Sequence, residues 1–275
     1  FPGCFLLTTD TNPAYLTTAS LWSDGHRVSP AVDNEKFRKF IRNTIEEFQI
    51  DTYIPFIDKE ISIAAAMYAA KKIGPGLRLQ VKNPKVAEIC ENKLFAHYFL
   101  LENNLPSPQT AELHRPFKAD KYLLKPAGGF GSQVKIVTPA ELKDPAYRYG
   151  YIVQEVCEQP EVTVDVAWSK LFNRFHFICR QRIQTKSGVC TKAKVFLDDN
   201  LGALAFALAQ GLELHSFCFQ VMRLRGKWVV TDINPRLGAG SAISAAAGSD
   251  FFSAMLAIFR EQDPAPFLKP LEREC

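Results

Sequence analysis

The chain has 275 residues, 47% hydrophobic and 23% charged, a balance that suits a soluble globular protein with room for two or three subdomains. Its net charge of +4 is not gathered into Lys/Arg runs, which speaks against nucleic acid, and no apolar run approaches the roughly 20 residues of a bilayer span, so no membrane is expected. Seven cysteines without CxxC spacing and five histidines without HxH or HExxH argue against a disulfide framework or a zinc site and favour a reducing, cytoplasmic setting.

In chain order, FPGCFLL lacks a basic leader region and runs at once into polar TTDTNP, so FLLTTD (5–10) reads as a strand ending at an acidic residue. EKFRKFIRNTIEEFQI (35–50) places apolar side chains at 37, 40, 41, 45 and 48, the spacing of a helix face. TYIPFID (52–58) reads as a buried strand and EISIAAAMYAAKKIG (60–74) as a helix stopped by Gly74. PKVAEICENKLFAHYFLLENN (84–104) reads as one helix opened by Pro84. KYLLKPA (121–127) and SQVKIVT (132–138) are strands flanking a glycine cluster, followed by a third strand, YIVQEV (151–156). EVTVDVAWS (161–169) and RFHFICRQRI (174–183) alternate with period two, the pattern of antiparallel strands. After a helix at 200–212, HSFCFQVMRL and KWVVTDINP (227–235) form a hairpin about Arg225–Gly226, and 241–261 closes the chain as an apolar helix. Alternating strands and helices followed by a β-rich stretch define a mixed α/β (α+β) fold.

Three stretches carry chemistry. In TDINPRLGAG (231–240), Asp232 and Asn234 project from one strand face, hard oxygen donors suited to Mg²⁺, with Gln220 on the neighbouring strand and Arg236 within reach of a phosphate held there. The same residues also read as an ordinary strand end and turn. In LLKPAGGFGS (123–132), a strand lysine beside a glycine-rich turn offers an ammonium and backbone N–H groups to a phosphate, although hairpin tips are often glycine-rich. In VQEVCEQPEVTVD (153–165), Glu155 and Glu161 could accept hydrogen bonds from an amine and from vicinal hydroxyls, or stand as solvated surface carboxylates.

A lysine with a glycine loop, an apolar strand ending in Q-E, then a distal D-x-N-P-R, in that order, resemble the ATP-grasp superfamily, and among its members the carbamoyl-phosphate-synthetase-like carboxylate–amine ligases. The resemblance runs over nearly the whole chain. It implies an ATP-grasp domain over 84–275, with a lid subdomain at about 112–157 and a C-terminal catalytic subdomain at about 158–275. Ahead of it, residues 1–83 would form a Rossmann-like pre-ATP-grasp domain without that domain's first strand and helix. The implied ligands are ATP with Mg²⁺ or Mn²⁺. Lys93 and Lys125 would contact phosphates, with Gly128, Gly129, Gly131 and Ser132 as the lid loop. Gln154, Glu155, Val156 and Cys157 would line the adenine site, partly through backbone, and Glu161 would bind the ribose. Gln220, Asp232 and Asn234 would hold the metal. Arg236 would stabilise the transferring phosphoryl group, making Arg236, Lys125 and Asn234 the catalytic set. Arg180 and Arg182 are implied candidates for phosphate or substrate carboxylate, and Gly238, Gly240 and Ser241 would lie against the acceptor. Arg180, Arg182 and His176 also read as selectors of the acceptor's side chain or, equally, as sheet-edge residues.

The implied reaction is ATP-dependent: a carboxylate takes the γ-phosphoryl group, and an amine (less readily a thiol) displaces phosphate from the acylphosphate. Small-molecule carboxylate and amine substrates and a homodimer are the implied partners. Val134 stands where the family's lid loop has its last glycine, Asp232 where the metal ligand is usually glutamate, and Gln159 where glycine is common. The departures at Val134 and Asp232 motivate one alternative, a nucleotide-binding scaffold without turnover; a carbamoyl-phosphate-synthetase-like phosphotransfer module is a second, distinguished by ATP hydrolysis with bicarbonate alone.

Overall fold

The computed structural model describes residues 3–129, 134–144, 147, 150–186 and 188–271. The N-terminal part begins with parallel strands β1 (Leu7–Asp10) and β2 (Gly25–Val28), followed by helix α1 (Phe37–Glu47). Phe37, Ile41 and Thr44 are its buried positions, the i, i+4, i+7 stripe of a helix laid on a core. Strand β3 (Thr52–Tyr53) pairs in parallel with β4 (Arg78–Leu79) across helix α2 (Asp58–Ala69). The strand expected over 52–58 is therefore two half-buried residues long. Pro55 has no N–H to continue a ladder, and Asp58 and Glu60 favour the positive N-terminal end of a helix.

A second departure falls at Asn92. The helix expected over 84–104 is two helices, α3 (Pro84–Glu91) and α4 (Lys93–Glu102). Asn92 leaves helical geometry (φ −110°, ψ 112°), and its side chain accepts from Leu94 N at 3.0 Å, capping α4. Lys93 then donates its backbone N–H to Ala127 O at 2.7 Å, which ties the start of α4 to the glycine-rich turn.

Two antiparallel sheets follow. The smaller joins β5 (Thr110–Glu112), β6 (Tyr122–Pro126), β7 (Lys135–Val137) and β8 (Tyr151–Gln154) in the order β5-β8-β6-β7. In the larger, β9 (Glu158–Ser169), β10 (Arg174–Lys186), β11 (Val189–Phe196), β12 (Ser216–Leu224) and β13 (Lys227–Asn234) run in the order β11-β10-β9-β12-β13. Helix α5 (Asp199–Leu212) covers one face of this sheet. Its Leu201, Ala205, Leu208 and Leu212 share a core with Val162, Val164 and Val166 of β9 and with Phe217, Phe219 and Val221 of β12. Gly202 is required there, because a Cβ would stand 2.6 Å from the ring of Phe177. The expected closing helix is also two, α6 (Ser241–Ala246) and α7 (Phe251–Phe259), separated at Gly248, whose φ of +105° favours glycine. Phe251, Ala254 and Met255 of α7 pack on the other face of the large sheet, against Ala167, Ile178 and Val195.

The hairpin at Arg225–Gly226 forms as expected, with both residues at positive φ (50° and 77°), the backbone of a tight primed turn. It contains one irregularity with consequences. Gln220 pairs with Asp232 but Val221 with Val230, so Thr231 is an extra residue, a β-bulge. Before the bulge, Trp228 and Val230 face the core; after it, Ile233 does, and Asp232 and Asn234 face away. Among the described residues no helix is long and apolar enough to cross a membrane.

Candidate active site

The two sheets face each other across a cleft of about 620 Å³. Lys125, Gln154, Val156 and Cys157 line it from the small-sheet side, and Gln220, Thr231, Asp232 and Asn234 from the large sheet. Lys93 from α4, Asp58 from α2 and Arg236 after β13 complete one end.

At that end the side chains form one polar line. The ammonium of Lys93 stands 3.8 Å from Asp232 Oδ1. Asn234 Nδ2 donates to Asp232 Oδ2 at 3.3 Å, and Arg236 donates to Asn234 Oδ1 at 3.4 Å. Arg236 Nε donates to Asp58 Oδ1 at 2.9 Å. Lys125 approaches from the facing sheet and donates to the carbonyl of Thr231, the bulge residue, at 3.2 Å. The Lys125 side chain is almost fully buried, and burial lowers its pKa to about 8, against the opposing pull of Asp232.

The other end is apolar and backbone-rich. Val134 and Ile136 border it with exposed side chains, and Leu123 and Met222 add apolar surface. Gln154 is buried and donates to Thr110 at 2.8 Å, while its Oε1, also buried, has no partner among the described residues. Burial pushes the Cys157 thiol up to about 11, so it is a neutral, space-filling group.

The remaining sequence-derived residues sit as follows. Gly129 has φ +89°, and Gly128 is close enough to Glu91 O that a Cβ would lie 3.4 Å from it. Gly131 and Ser132 lie outside the described residues. The carboxylate of Glu155 accepts from Gln109 N at 3.1 Å and from Arg225, and Glu155 is not among the residues that line the cleft. Glu161 is paired with Arg182, which also donates to Gly188 O at 2.9 Å. Arg180 is fully buried, donating from Nε and Nη2 to Asp165 at 2.6 and 2.9 Å. Ser244 donates to the same carboxylate at 2.6 Å. His176 packs under α7, 2.8 Å from Ser249 Oγ and against the Phe251 ring, and burial lowers its pKa.

Three participants escaped the sequence reading: Asp58, Asp165 and the Thr231 bulge. Asp165 had a visible signal, the one acid within the run Val162–Trp168 of β9, and it lies diagonal to Arg180 on the neighbouring strand. Asp58 and Thr231 had none, since each matters only through a partner distant in sequence.

A family profile described as the ATP-grasp domain matches residues 90–240, more than half of the chain, and the protein belongs to the ATP-grasp family. Solved structures agree on the fold. Pyruvate carboxylase of Rhizobium etli superposes with a TM-score of 0.75 at 12% identity, over 97% of this chain and 27% of that one. N5-carboxyaminoimidazole ribonucleotide synthetase from Thermotoga maritima gives 0.73 at 16% identity, over 98% and 72%. L-amino acid ligase from Bacillus licheniformis gives 0.69 at 16% identity, over 90% and 66%. The chain thus spans just over a quarter of the carboxylase and about two thirds of the ligase. A sequence search of curated proteins finds no match.

Proposed function

We propose that this protein is a Mg·ATP-dependent ligase that phosphorylates a carboxylate and joins the acylphosphate to an amine. The observation that carries the reading is the polar line Lys93–Asp232–Asn234–Arg236 at one end of the cleft, with Lys125 facing it. Membership of the ATP-grasp family supplies the nucleotide, and the ligases of similar fold support C–N bond formation. In this reading residues 1–83 form the pre-ATP-grasp domain and 84–275 the ATP-grasp domain.

The donor set fits Mg²⁺ brought in with ATP. Mg²⁺ is held through one or two carboxylates plus substrate phosphates rather than by a protein cage. Asp232 supplies one carboxylate, with Asn234 beside it on the same face and Gln220 opposite it in the ladder. Among the described residues no group of three or more His, Cys, Asp or Glu could hold a metal by itself. When bound, the ion would supply positive charge to offset that of the nucleotide phosphates.

The side chains have separate tasks. Lys93 and Lys125 bind phosphate oxygens as point charges, and Lys125 enters the cleft with part of its hydration already removed. Arg236, oriented by Asp58, holds charge on the phosphoryl group as it passes to the acceptor carboxylate. Catalysis here is positioning and charge compensation, and no protein nucleophile is needed. Gln154, Val156 and Cys157 receive the base, and Arg182 with Glu161 borders the ribose.

The test is a product screen with Mg·ATP, a panel of carboxylates and an amine pool. Release of ADP and phosphate together with a coupled amide, seen by mass spectrometry, is the expected result. Release of AMP and diphosphate, or ATP hydrolysis elicited by bicarbonate alone, would replace this reading.

A further inference from the structure

A second pocket, about 320 Å³, adjoins the phosphoryl end of the cleft. The two share Arg236, Gly238 and Ala239 as a common wall. We propose that this pocket receives the apolar body of a compact monocarboxylate substrate, whose carboxylate lies at Arg236 beside the transferring phosphoryl group. The proposal rests on the ligase reading and deepens it by naming a substrate class.

Four observations support it. First, the lining beyond Arg236 and Ser241 is apolar: Phe56, Leu237, Ala242 and Phe252. Second, Phe56 and Phe252 keep 53% and 40% of their surface exposed, whereas Phe251, one residue earlier, keeps 1% and packs in the core. The core needs Phe251; Phe252 presents its ring to the pocket, leaving apolar surface that an apolar ligand would cover. Third, Arg236 is the one charged residue in the lining, and Asp58 already engages it. A second anionic group on the substrate would be desolvated without a partner, which disfavours dicarboxylates and phosphorylated acceptors. Fourth, the pocket lies near the lower limit of the roughly 300–1,000 Å³ typical of small-molecule sites, so the ligand is compact.

The wall between pocket and cleft is fixed in place. Gly240 sits against Arg180 so closely that a Cβ would stand 2.2 Å from Nη1. Ser244 of α6 donates to the Asp165 carboxylate that grips Arg180. The loop that carries Arg236 into α6 is therefore seated on a buried ion pair, which sets the pocket's depth.

The experiment is ligand-observed NMR with the full chain saturated with Mg·ADP, after calorimetry has measured Mg·ADP binding alone. The probes are acetate, butyrate, 4-methylpentanoate and 3-phenylpropanoate, their amino counterparts leucine and phenylalanine, and succinate. Affinity should rise about fourfold per added methylene until the pocket is full. Succinate should bind roughly tenfold or more below butyrate, given the unpaired charge. Ala242→Trp, at an exposed position of α6, and Phe252→Asp should each weaken 3-phenylpropanoate by about tenfold or more. Both should leave Mg·ADP affinity within about twofold of wild type. Failure of Mg·ADP to bind the wild-type chain would remove the ligase reading and this inference together. Intact Mg·ADP binding with succinate preferred, or with both variants binding 3-phenylpropanoate like wild type, would overturn this inference alone.

Discussion

Val230 and Asp232 stand two residues apart on β13 yet point to opposite faces of the sheet, Val230 into the core and Asp232 into the cleft. Strict alternation would put them on the same face. The Thr231 bulge reverses the phase, and it also presents the carbonyl that receives Lys125. One extra residue thus leaves Asp232 on the cleft face although Val230 lies in the core, and offers the carbonyl that meets the opposing ammonium.

Deleting Thr231 should regularise the ladder in its present register, Val221 opposite Val230 and Gln220 opposite Asp232, so that Val230 stays in the core and Asp232 in the cleft. What the deletion removes is the bulge carbonyl that receives Lys125, so the variant should fold with Asp232 still facing the cleft and bind ADP more weakly. Thr231→Val keeps the bulge backbone and should melt and bind nearly as wild type. Calorimetric melting and ADP titration of both variants check this; a folded deletion variant that binds ADP like wild type would contradict it.

Asp165→Ala should destabilise by about 3–5 kcal/mol, because it strands the buried Arg180 guanidinium. Replacing both partners, as Asp165→Leu with Arg180→Met, should recover much of that loss. Urea titration of the single and double variants measures the difference, and a near-neutral Asp165→Ala would contradict the pairing.

Lys125 gives a pH dependence with a definite sign. Its pKa of about 8 lies below the ordinary 10.5 because it is buried. As pH rises through 8 the free protein loses this ammonium, so ADP affinity should fall across that range. Nucleotide phosphates favour the charged form, and binding near pH 8 should therefore take up a proton. Titrations in buffers of different ionisation enthalpy measure that uptake. Lys125→Met should abolish it and slow ADP release in the full reaction by orders of magnitude, the scale of a lost charge-assisted contact. Unchanged uptake in Lys125→Met would remove this lysine from the site.

Much of the architecture was legible in the sequence, because period-two alternation in β9 and β10 and the Arg225–Gly226 turn are local signals. The breaks at Asn92 and Gly248 are local too, but apolar periodicity continues across both and hides them. The bulge leaves no compositional trace: only the pairing of β12 with β13 creates it. Within the cleft, residue types and their order singled out Lys125, Gln220, Asp232, Asn234 and Arg236, the family resemblance added Lys93, and the fold does bring all six together. The partners of Glu155 and Glu161 were not legible, since they come from Arg225 and Arg182, 70 and 21 residues away. Asp58, 178 residues from Arg236, was hidden for the same reason.

The central claim is a Mg·ATP site built on Asp232, and calorimetric titration of ADP into wild type and Asp232→Asn, with and without Mg²⁺, tests it most directly. The account predicts Mg²⁺-dependent binding to wild type and none of that dependence in Asp232→Asn, with both proteins melting alike. Equal ADP affinity with and without Mg²⁺ in folded wild type, or unaltered Mg²⁺ dependence in Asp232→Asn, would contradict it.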